Sequence, residues 1–412
     1  MTIRILKDRH ITLGVTGGVA VYKAAFLASR LTQAGAMVDV VMTEAATHFV
    51  APLTFQAVTQ RAVYTDIFQL AAGESPGEVQ IPHIALAKSA DLLLIAPATG
   101  NTLAKLAQGL ADNLLTAIAL ATPAPALLAP AMESDMWAHP TTQANAATLR
   151  ERGTTFVGPG AGHLASGAEG VGRMSEPEQI LEMARVVLGR GEDLAERRVL
   201  VSAGGTREAI DPVRFIGNHS SGKMGYALAL AARDRGAHVT LVTGPTCLAD
   251  PVGVETIHVE SATAMCDAVL SACDGTDALV MAAAVADYRS VEAVAQKIKK
   301  SGDLLTLQLS RTPDILAEIA RLRETGRGPK VTVGFAAETE DLLENARDKL
   351  ERKRLDLIAA NNVSATDAGF AVDTNRVTLL SADGVVQALP LMTKEDVAHE
   401  IWDRVSQLLL NL

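Results

Sequence analysis

The chain repeats one pattern twice: a short apolar strand, a glycine turn, a helix, a further glycine and a second strand. The first copy spans residues 11–42 and the second spans residues 199–242. Because a strand, a crossover helix and a parallel strand form the βαβ unit, each copy predicts the start of a parallel sheet. The predicted elements are strand Ile11–Val15, helix Tyr22–Ala34 and strand Met37–Met42, then strand Val199–Ser202, helix Gly225–Arg235 and strand Val239–Val242.

The length of 412 residues also favours more than one domain, because domains average roughly 150 residues. The stretch Gly189–Arg198 is charged, contains glycines and directly precedes the second copy, which is typical of a boundary. We predict an α/β protein with two Rossmann-like parallel-sheet domains, at residues 1–190 and 191–412. Further strands are predicted at Asp91–Ala96, Ala126–Ala129, Ala278–Ala284, Val331–Phe335 and Leu355–Ala360, and a hairpin at Arg376–Leu380 and Val385–Leu389.

Charge and cysteine content exclude several classes of protein. Lys plus Arg is 37 and Asp plus Glu is 47, so the net charge of −10 argues against nucleic acid and anionic membranes as partners. Three cysteines, none in a C-x-x-C pair, predict neither a disulfide framework nor a structural zinc site. The chain shows no signal peptide and no apolar run of about 18 residues. We therefore expect a cytoplasmic protein.

Small and polar residues follow three predicted strands of the first domain. Gly17 and Gly18 form a turn before a helix, which either binds an anion through backbone N–H groups or is only tightly packed. Thr43 follows the second strand and is either a ligand contact or a helix N-cap. Residues 97–102, directly after the predicted strand Asp91–Ala96, are either a polar ligand site or an ordinary turn. The candidate contacts are Gly17, Gly18, Thr43, Ala98, Thr99 and Asn101.

Three more residues of the first domain stand next to predicted elements. His83 precedes the predicted helix Ile84–Ala90, where a single histidine is more often structural than catalytic. Glu133 follows a strand and either caps a helix or contacts a substrate. Ser166 lies in Gly162–Met174, a glycine-rich stretch whose composition is typical of a mobile lid.

The second domain carries a different set of candidates. The segment Asp211–Gly225 is rich in glycine and hydroxyl groups, which favours phosphate binding although it is not a Walker A loop. Asp287 ends an apolar strand, as a cap or as a site residue. Lys297 starts a basic cluster, and Lys349 and Lys353 share a helix face; each marks a phosphate site or a solvated surface. The candidates from these patterns are Asp287, Lys297, Lys349 and Lys353.

In their order and spacing, the segments of the first domain resemble the flavin-containing cysteine decarboxylases. With the second set added, essentially the whole chain is similar to the bacterial bifunctional phosphopantothenoylcysteine decarboxylase/phosphopantothenate–cysteine ligases of coenzyme A synthesis. The resemblance implies a flavodoxin-like N-terminal flavoprotein domain and a C-terminal nucleotide-binding ligase domain. It also implies His83 as a catalytic residue and FMN contacts at Gly17, Gly18, Thr43, Ala98, Thr99 and Asn101.

Two residues depart from the pattern of that family. Glu133 stands where the family has an asparagine that holds the substrate carboxylate, and a charged Glu would repel that group. Ser166 stands where the family has a cysteine that donates a proton during reduction of the product. A serine hydroxyl is a far weaker acid. Decarboxylation remains the expected reaction, with the catalytic roles of Glu133 and Ser166 open.

For the second domain, the resemblance implies a ligase that uses CTP. The carboxylate of 4'-phosphopantothenate attacks the α-phosphate to give an acyl-cytidylate, and the amine of cysteine then displaces CMP. Asn218 corresponds to the residue that stabilises the acyl intermediate, and Lys297 to the lysine on the phosphates. Mg²⁺ is expected to bridge phosphate oxygens, with no assigned protein ligands. The implied CTP contacts are Asp287, Lys297, Phe335, Lys349 and Lys353.

The same resemblance implies a homo-oligomer, a dodecamer built from trimers of flavin domains and dimers of ligase domains. Three other interpretations stay open. The first is an active ligase with an impaired or redirected flavin domain, because of Glu133 and Ser166. The second is an NAD-dependent dehydrogenase, although neither glycine turn reads G-x-G-x-x-G. The third is a flavin-binding regulatory protein, which the ligase motifs argue against.

Overall fold

The computed structural model describes residues 3–68, 71–72, 79–299, 305–338, 342–362 and 372–411. The chain divides into two compact units, which we call unit 1 (Met1–Gly189) and unit 2 (Arg190–Leu412). Each unit is an α/β structure built on one large sheet with its own apolar core.

Unit 1 is built on a six-stranded parallel sheet with the strand order β3-β2-β1-β6-β7-β8. Its strands are β1 (His10–Val15), β2 (Met37–Met42), β3 (Val63–Tyr64), β4 (Ala71–Ala72), β5 (Val79–Gln80), β6 (Leu92–Ala98), β7 (Ala126–Pro130), β8 (Thr155–Phe156), β9 (Gly160–His163) and β10 (Glu169–Arg173). Its helices are α1 (Val21–Gln33), α2 (Glu44–Thr47), α3 (Pro52–Thr59), α4 (Pro82–Ser89), α5 (Gly100–Gln108), α6 (Leu114–Ala121), α7 (Ser134–Ala138), α8 (Pro140–Glu151) and α9 (Pro177–Gly189).

The apolar run of β6 shows why this sheet is covered on both faces. Leu92 and Leu94 belong to a core shared with α1, α3 and α9, whereas Leu93 and Ile95 belong to a core shared with α4, α5, α6 and α8. Successive side chains of a strand point to opposite faces. A continuous apolar run therefore requires helices on both sides, as in doubly wound α/β folds.

Unit 2 has an eight-stranded sheet with the order β15-β14-β11-β16-β19-β20-β22-β23, in which the last two strands pair antiparallel. Its strands are β11 (Arg198–Ala203), β12 (Arg207–Ala209), β13 (Phe215–Gly217), β14 (His238–Thr243), β15 (Glu255–His258), β16 (Ala278–Met281), β17 (Tyr288–Ser290), β18 (Leu309–Arg311), β19 (Val331–Glu338), β20 (Leu357–Asn362), β21 (Thr374–Asn375), β22 (Val377–Ser381), β23 (Val386–Ala388) and β24 (Met392–Thr393). Its helices are α10 (Lys223–Asp234), α11 (Ala262–Ala272), α12 (Ile315–Glu324), α13 (Leu342–Arg352) and α14 (Lys394–Leu410).

The predicted α/β class and the two parallel sheets are confirmed. One strand is shorter than predicted: β16 ends at Met281, three residues before Ala284. The Ala283 amide donates to the Ser202 hydroxyl at 3.1 Å, and Ala284 bridges Gly205. Ala283 and Ala284 are therefore part of the loop that follows β16 and not of the sheet strand. Among the described residues, no helix is long and apolar enough to cross a membrane.

Candidate functional site

Unit 1 contains a cavity of about 880 Å³ at the carboxyl ends of its parallel strands. We call it the unit 1 cavity. The turns after β1, β2, β6 and β7 all contribute to its walls, because parallel strands end at the same edge of the sheet. Ligands of open α/β sheets bind at this edge. Five predicted contacts line the cavity together: Gly17, Gly18, Thr43, Thr99 and Asn101.

The two glycines of the first turn have different roles. A Cβ built on Gly17 would lie 2.5 Å from the Cβ of Ala45, so close packing against the start of α2 requires glycine there. A Cβ on Gly18 would meet nothing closer than the Thr99 Cγ2 at 3.8 Å. Packing thus explains Gly17, whereas Gly18 leaves its backbone accessible at the start of α1, where N–H groups favour an anion.

Hydroxyl groups order the neighbouring turn after β6. Thr16 donates to the carbonyl of Pro97 at 2.7 Å, and its hydroxyl accepts from the Thr99 amide at 3.2 Å. Thr99 is also the N-cap of α5 and accepts from the Thr102 amide at 3.4 Å. The starts of α1 and α5 therefore face one cavity, so that two positive helix ends act on the same ligand.

Cationic side chains that the sequence analysis did not select also line the unit 1 cavity. The Lys23 side chain on α1 is buried, and its ammonium donates to the carbonyl of Met174 at 3.2 Å and to Glu176 at 2.9 Å. Arg173 of β10 pairs with the same Glu176 at 2.7 Å. The Lys23 ammonium, then the Arg173 guanidinium, hold the pKa of Glu176 below its usual value despite partial burial. Spacing alone does not mark Lys23, because it lies on the buried side of α1 among residues of the core.

The two residues that depart from the family pattern contact each other. Ser166, between β9 and β10, donates to the Glu133 Oε2 at 2.9 Å and accepts from the Ala168 amide at 3.3 Å. Glu133 is at the N-cap position of α7 but makes no capping hydrogen bond with its side chain. Its carboxylate instead connects the start of α7 to the hairpin, and it lines the cavity.

Three predicted residues of unit 1 lie outside the lining of this cavity. Ala98 is fully buried within β6. Ser166 is exposed, although its neighbour Ala165 lines the cavity. His83 lies in the first turn of α4, and its Nδ1 is buried without a hydrogen-bond partner among the described residues.

Unit 2 has a second cavity, of about 500 Å³, which we call the unit 2 cavity. It lies between the loop before α10 and the ends of β16 and β19. Four predicted residues line it: Asn218, Asp287, Phe335 and Lys349. The Asn218 amide donates to the carbonyl of Val285 at 3.1 Å, which fixes the amide orientation. The Lys349 ammonium donates to the carbonyl of Phe335 at 2.7 Å.

Lys297 and Lys353 lie outside the lining of this cavity. Lys353 pairs with Asp314; burial alone would raise the pKa of Asp314, but the lysine outweighs it and the pKa lies below its usual value. Lys297 is exposed. Its neighbour Ile298 donates its amide to Asp211 at 3.1 Å and accepts from Arg214 at 2.8 Å. The buried Asp211 carboxylate thus anchors the backbone next to Lys297.

The sequence analysis missed several residues that line the unit 2 cavity. Lys394 is the first residue of α14, directly after the N-cap Thr393. In the sequence this position indicates only the start of a helix and not a ligand contact. Lys223 is the lysine of the glycine-rich loop that favours phosphate, but it was not among the selected contacts. Asn361 and Asn375 are buried amides on β20 and β21. Among the described residues, no group of three His, Cys, Asp or Glu could hold a metal ion.

The two cavities suit different chemistry. The unit 1 cavity combines open backbone at helix starts, hydroxyl groups and apolar walls such as Met132 and Met136, which fits a ligand with a phosphate and a planar ring. The unit 2 cavity is lined by three lysines and, among its described residues, one acid, Asp287. That balance fits a polyanion.

Two family models match the chain, one on each unit. The model described as Flavoprotein matches residues 3–188, and the model described as DNA/pantothenate metabolism flavoprotein C-terminal domain matches residues 194–409. Among solved structures, the C-terminal domain of coenzyme A biosynthesis bifunctional protein CoaBC has a TM-score of 0.46 at 40% identity, covering 54% of this chain and 100% of that one. A mutant PPC decarboxylase complexed with pantothenoylaminoethenethiol has a TM-score of 0.40 at 35% identity, covering 44% and 98%.

Relatives of full length match both units at once. The coenzyme A biosynthesis bifunctional protein CoaBC of Bacillus subtilis is 46% identical over 407 residues, which cover 98% of each chain. The protein of the same name from Mycobacterium tuberculosis is 46% identical over 409 residues, covering 96% of each chain. The chain therefore belongs to the family of bifunctional coenzyme A biosynthesis proteins, which join a flavoprotein decarboxylase to a ligase.

Proposed function

We propose that this chain converts 4'-phosphopantothenate and cysteine to 4'-phosphopantetheine in two steps. Unit 2 joins the two substrates with CTP, and unit 1 decarboxylates the resulting phosphopantothenoylcysteine with FMN. The observation that supports this assignment best is the pair of separate cavities, one suited to a phosphate-bearing ring and one to a polyanion. The proposal places the reaction in the cytoplasm, where CTP is made.

The residues of the unit 1 cavity fit FMN. Its phosphate suits the backbone at Gly18 and the starts of α1 and α5, where hydroxyl groups of Thr43 and Thr99 and the amide of Asn101 are also available. When bound, FMN supplies the two-electron exchange that makes loss of CO₂ from the cysteinyl group easy. The protein binds the phosphate, orients the ring and excludes water. His83 holds or moves the proton of the substrate thiol.

Gly17 and Gly18 provide a matched pair of variants that tests the proposed FMN phosphate site. We expect Gly17→Ala to lower the stability of the protein by about 1–3 kcal/mol and to release FMN, because its Cβ would overlap Ala45. Gly18→Ala is the control for stability, since its Cβ has room. Thermal melts of both variants, with FMN retention read from absorbance, check this. Equal melting temperatures for the two variants would contradict the packing argument.

The unit 2 cavity is proposed to bind CTP. Asp287, Phe335 and Lys349 provide contacts there, and Asn218 is aimed by its bond to Val285 at the activated acyl group. Lys297 and Lys353 are proposed to reach the phosphates from the rim. Mg²⁺ is proposed to arrive on the phosphates of the nucleotide and to neutralise their charge.

Assembly is part of the proposal. Three apolar side chains on or beside α1, Val19, Tyr22 and Phe26, are 51–62% exposed, and Val19 and Tyr22 line the unit 1 cavity. A second copy that covers this stripe would bury apolar surface and close the cavity. We propose a homo-oligomer, a dodecamer of trimeric flavin domains and dimeric ligase domains.

A second candidate function is an active ligase joined to a flavin unit that stops at an oxidised product. The contact between Ser166 and Glu133 favours it, because the hydroxyl proton is committed to the carboxylate. In this case the product of unit 1 is two hydrogen atoms lighter than phosphopantetheine. The double variant with Glu133→Asn and Ser166→Cys, which restores the family pair, is then expected to yield phosphopantetheine. The product mass, by mass spectrometry, distinguishes the two candidates.

Nucleotide dependence tests the ligase half directly. We expect pyrophosphate release only when phosphopantothenate and CTP are both present, and little release when ATP replaces CTP. An assay of pyrophosphate with each omission serves as its own control. Equal rates with CTP and ATP would remove CTP from the proposal, and release without phosphopantothenate would remove the acyl-cytidylate.

A further inference from the structure

One end of the unit 2 cavity carries two lysines to which the proposed function gives no role. The Lys223 ammonium pairs with Asp373 Oδ1 at 2.6 Å. The Lys394 ammonium donates to the carbonyl of Val372 at 2.5 Å. Since Val372 and Asp373 are adjacent, both ammonium groups meet at one short segment of the chain.

Lys394 is in an unusual environment for a lysine. Only 6% of Lys394 is exposed, so its ammonium group loses most of the hydration that a lysine has in water. Burial, and then repulsion from Lys223, lower its pKa to about 8, while Asp373 acts in the opposite direction. Asp373 itself has a lowered pKa because Lys223 donates to it. Burying an ammonium group next to a second one is unfavourable, which suggests that an anionic ligand binds here and stabilises the charge of Lys394.

The charges around this end leave it net positive. Lys223 projects from the start of α10, Lys394 from the start of α14, and Asp373 is the carboxylate that faces both. Lys349 and Asp287, elsewhere in the same cavity, offset each other. The start of α10 adds to the field: its N-cap, Gly222, has φ +77° and provides no side chain to cap the helix. Backbone N–H groups there favour an anion.

We propose that Lys394 and Lys223 bind a phosphate monoester at this end of the unit 2 cavity, and that a proton is taken up at Lys394 when the phosphate binds. The inference rests on the proposed function for the identity of the substrate, but phosphate binding itself does not. The dianion replaces the water that Lys394 lacks and stabilises its charged form.

Proton uptake tests the proposal in the unaltered protein. Inorganic phosphate is titrated into the full chain by calorimetry at pH 9, in two buffers with different ionisation enthalpies. At this pH free phosphate is a dianion, and Lys394, whose pKa is lowered to about 8, is largely neutral. We expect uptake of about one proton per phosphate bound. Binding without proton uptake, or no binding at millimolar phosphate, overturns the proposal.

Variants then locate the effect. We expect Lys394→Gln to weaken phosphate binding at least tenfold and to abolish proton uptake, and Lys394→Arg to retain binding without uptake. Lys330→Gln is the control, because Lys330 pairs with Asp277 at the opposite end of the strands. Thermal melts verify that each variant is folded. Binding by Lys394→Gln equal to that of Lys330→Gln would contradict the assignment.

Steady-state kinetics identify the source of the phosphate. If the site holds the phosphate monoester of phosphopantothenate, Lys394→Gln raises the KM for that substrate and leaves the KM for CTP unchanged. A KM raised for CTP alone would overturn the assignment of the site to a monoester. A variant that changes neither KM overturns the role in catalysis. A protein that binds phosphate with proton uptake but ligates nothing would contradict the proposed function alone.

Discussion

Replacing His83 with asparagine is expected to slow decarboxylation by about 10²–10⁴-fold, the usual contribution of a general acid or base. Asparagine keeps the polarity and approximate size of histidine but cannot exchange a proton near neutral pH. Ligation is expected to continue at its normal rate, because His83 belongs to unit 1. The measurement is release of CO₂ from purified phosphopantothenoylcysteine, with pyrophosphate release as the parallel assay.

His48→Asn is the matched control for this variant. His48 is exposed at the end of α2 in the same unit, outside the lining of the cavity. It should decarboxylate like the unaltered protein. If the two variants behave alike, the buried Nδ1 of His83 reflects only its place in α4, and the catalytic assignment is wrong.

The second large effect is expected for Lys297→Gln, which should reduce ligation by about 10²–10³-fold. The lysine is exposed and outside the cavity, but its backbone is held through Ile298 by Asp211 and Arg214. Because the backbone is already anchored, the Lys297 ammonium loses little conformational freedom when it binds the phosphates. Pyrophosphate release at saturating CTP measures the loss.

Lys299→Gln offers a control two residues away. It removes the same charge from the same exposed segment, and no site role was assigned to it. We expect it to change the rate by less than about threefold, as for a screened surface charge. Similar losses in both variants would mean that the general basic character of the segment matters, and not a specific lysine.

The sequence was sufficient for the architecture. Repeated strand–glycine–helix patterns predicted two parallel sheets, because apolar runs such as Leu92–Ala96 can be satisfied only by burial on both faces. It was less informative where a strand ends. Ala282–Ala284 are apolar enough for a buried strand. The backbone of Ala283 and Ala284 instead contacts Ser202 and Gly205, which are distant in sequence.

Residues that line the cavities were predictable from the sequence when they directly follow strands, but not when only the tertiary fold brings them there. Gly18 and Thr99 belong to turns after strands and share the unit 1 cavity. Lys23 and Lys394 lie on amphipathic helices, and each is buried on the side that packs against the core, so no local pattern marks them. The contact of Ser166 with Glu133 joins residues 33 positions apart. The departure of each residue from the family pattern was visible in the sequence. Their contact was not, because it depends on how the β9–β10 hairpin folds.

The most direct test of the account is one reaction followed by mass spectrometry. It contains the purified protein with 4'-phosphopantothenate, cysteine, CTP, Mg²⁺ and FMN, with single omissions as controls. We predict 4'-phosphopantetheine, formed only when CTP is present. Accumulation of phosphopantothenoylcysteine, with no product that has lost CO₂, would contradict the proposed activity of unit 1. Formation of neither compound, while an enzyme of known activity succeeds in parallel, would contradict the central claim.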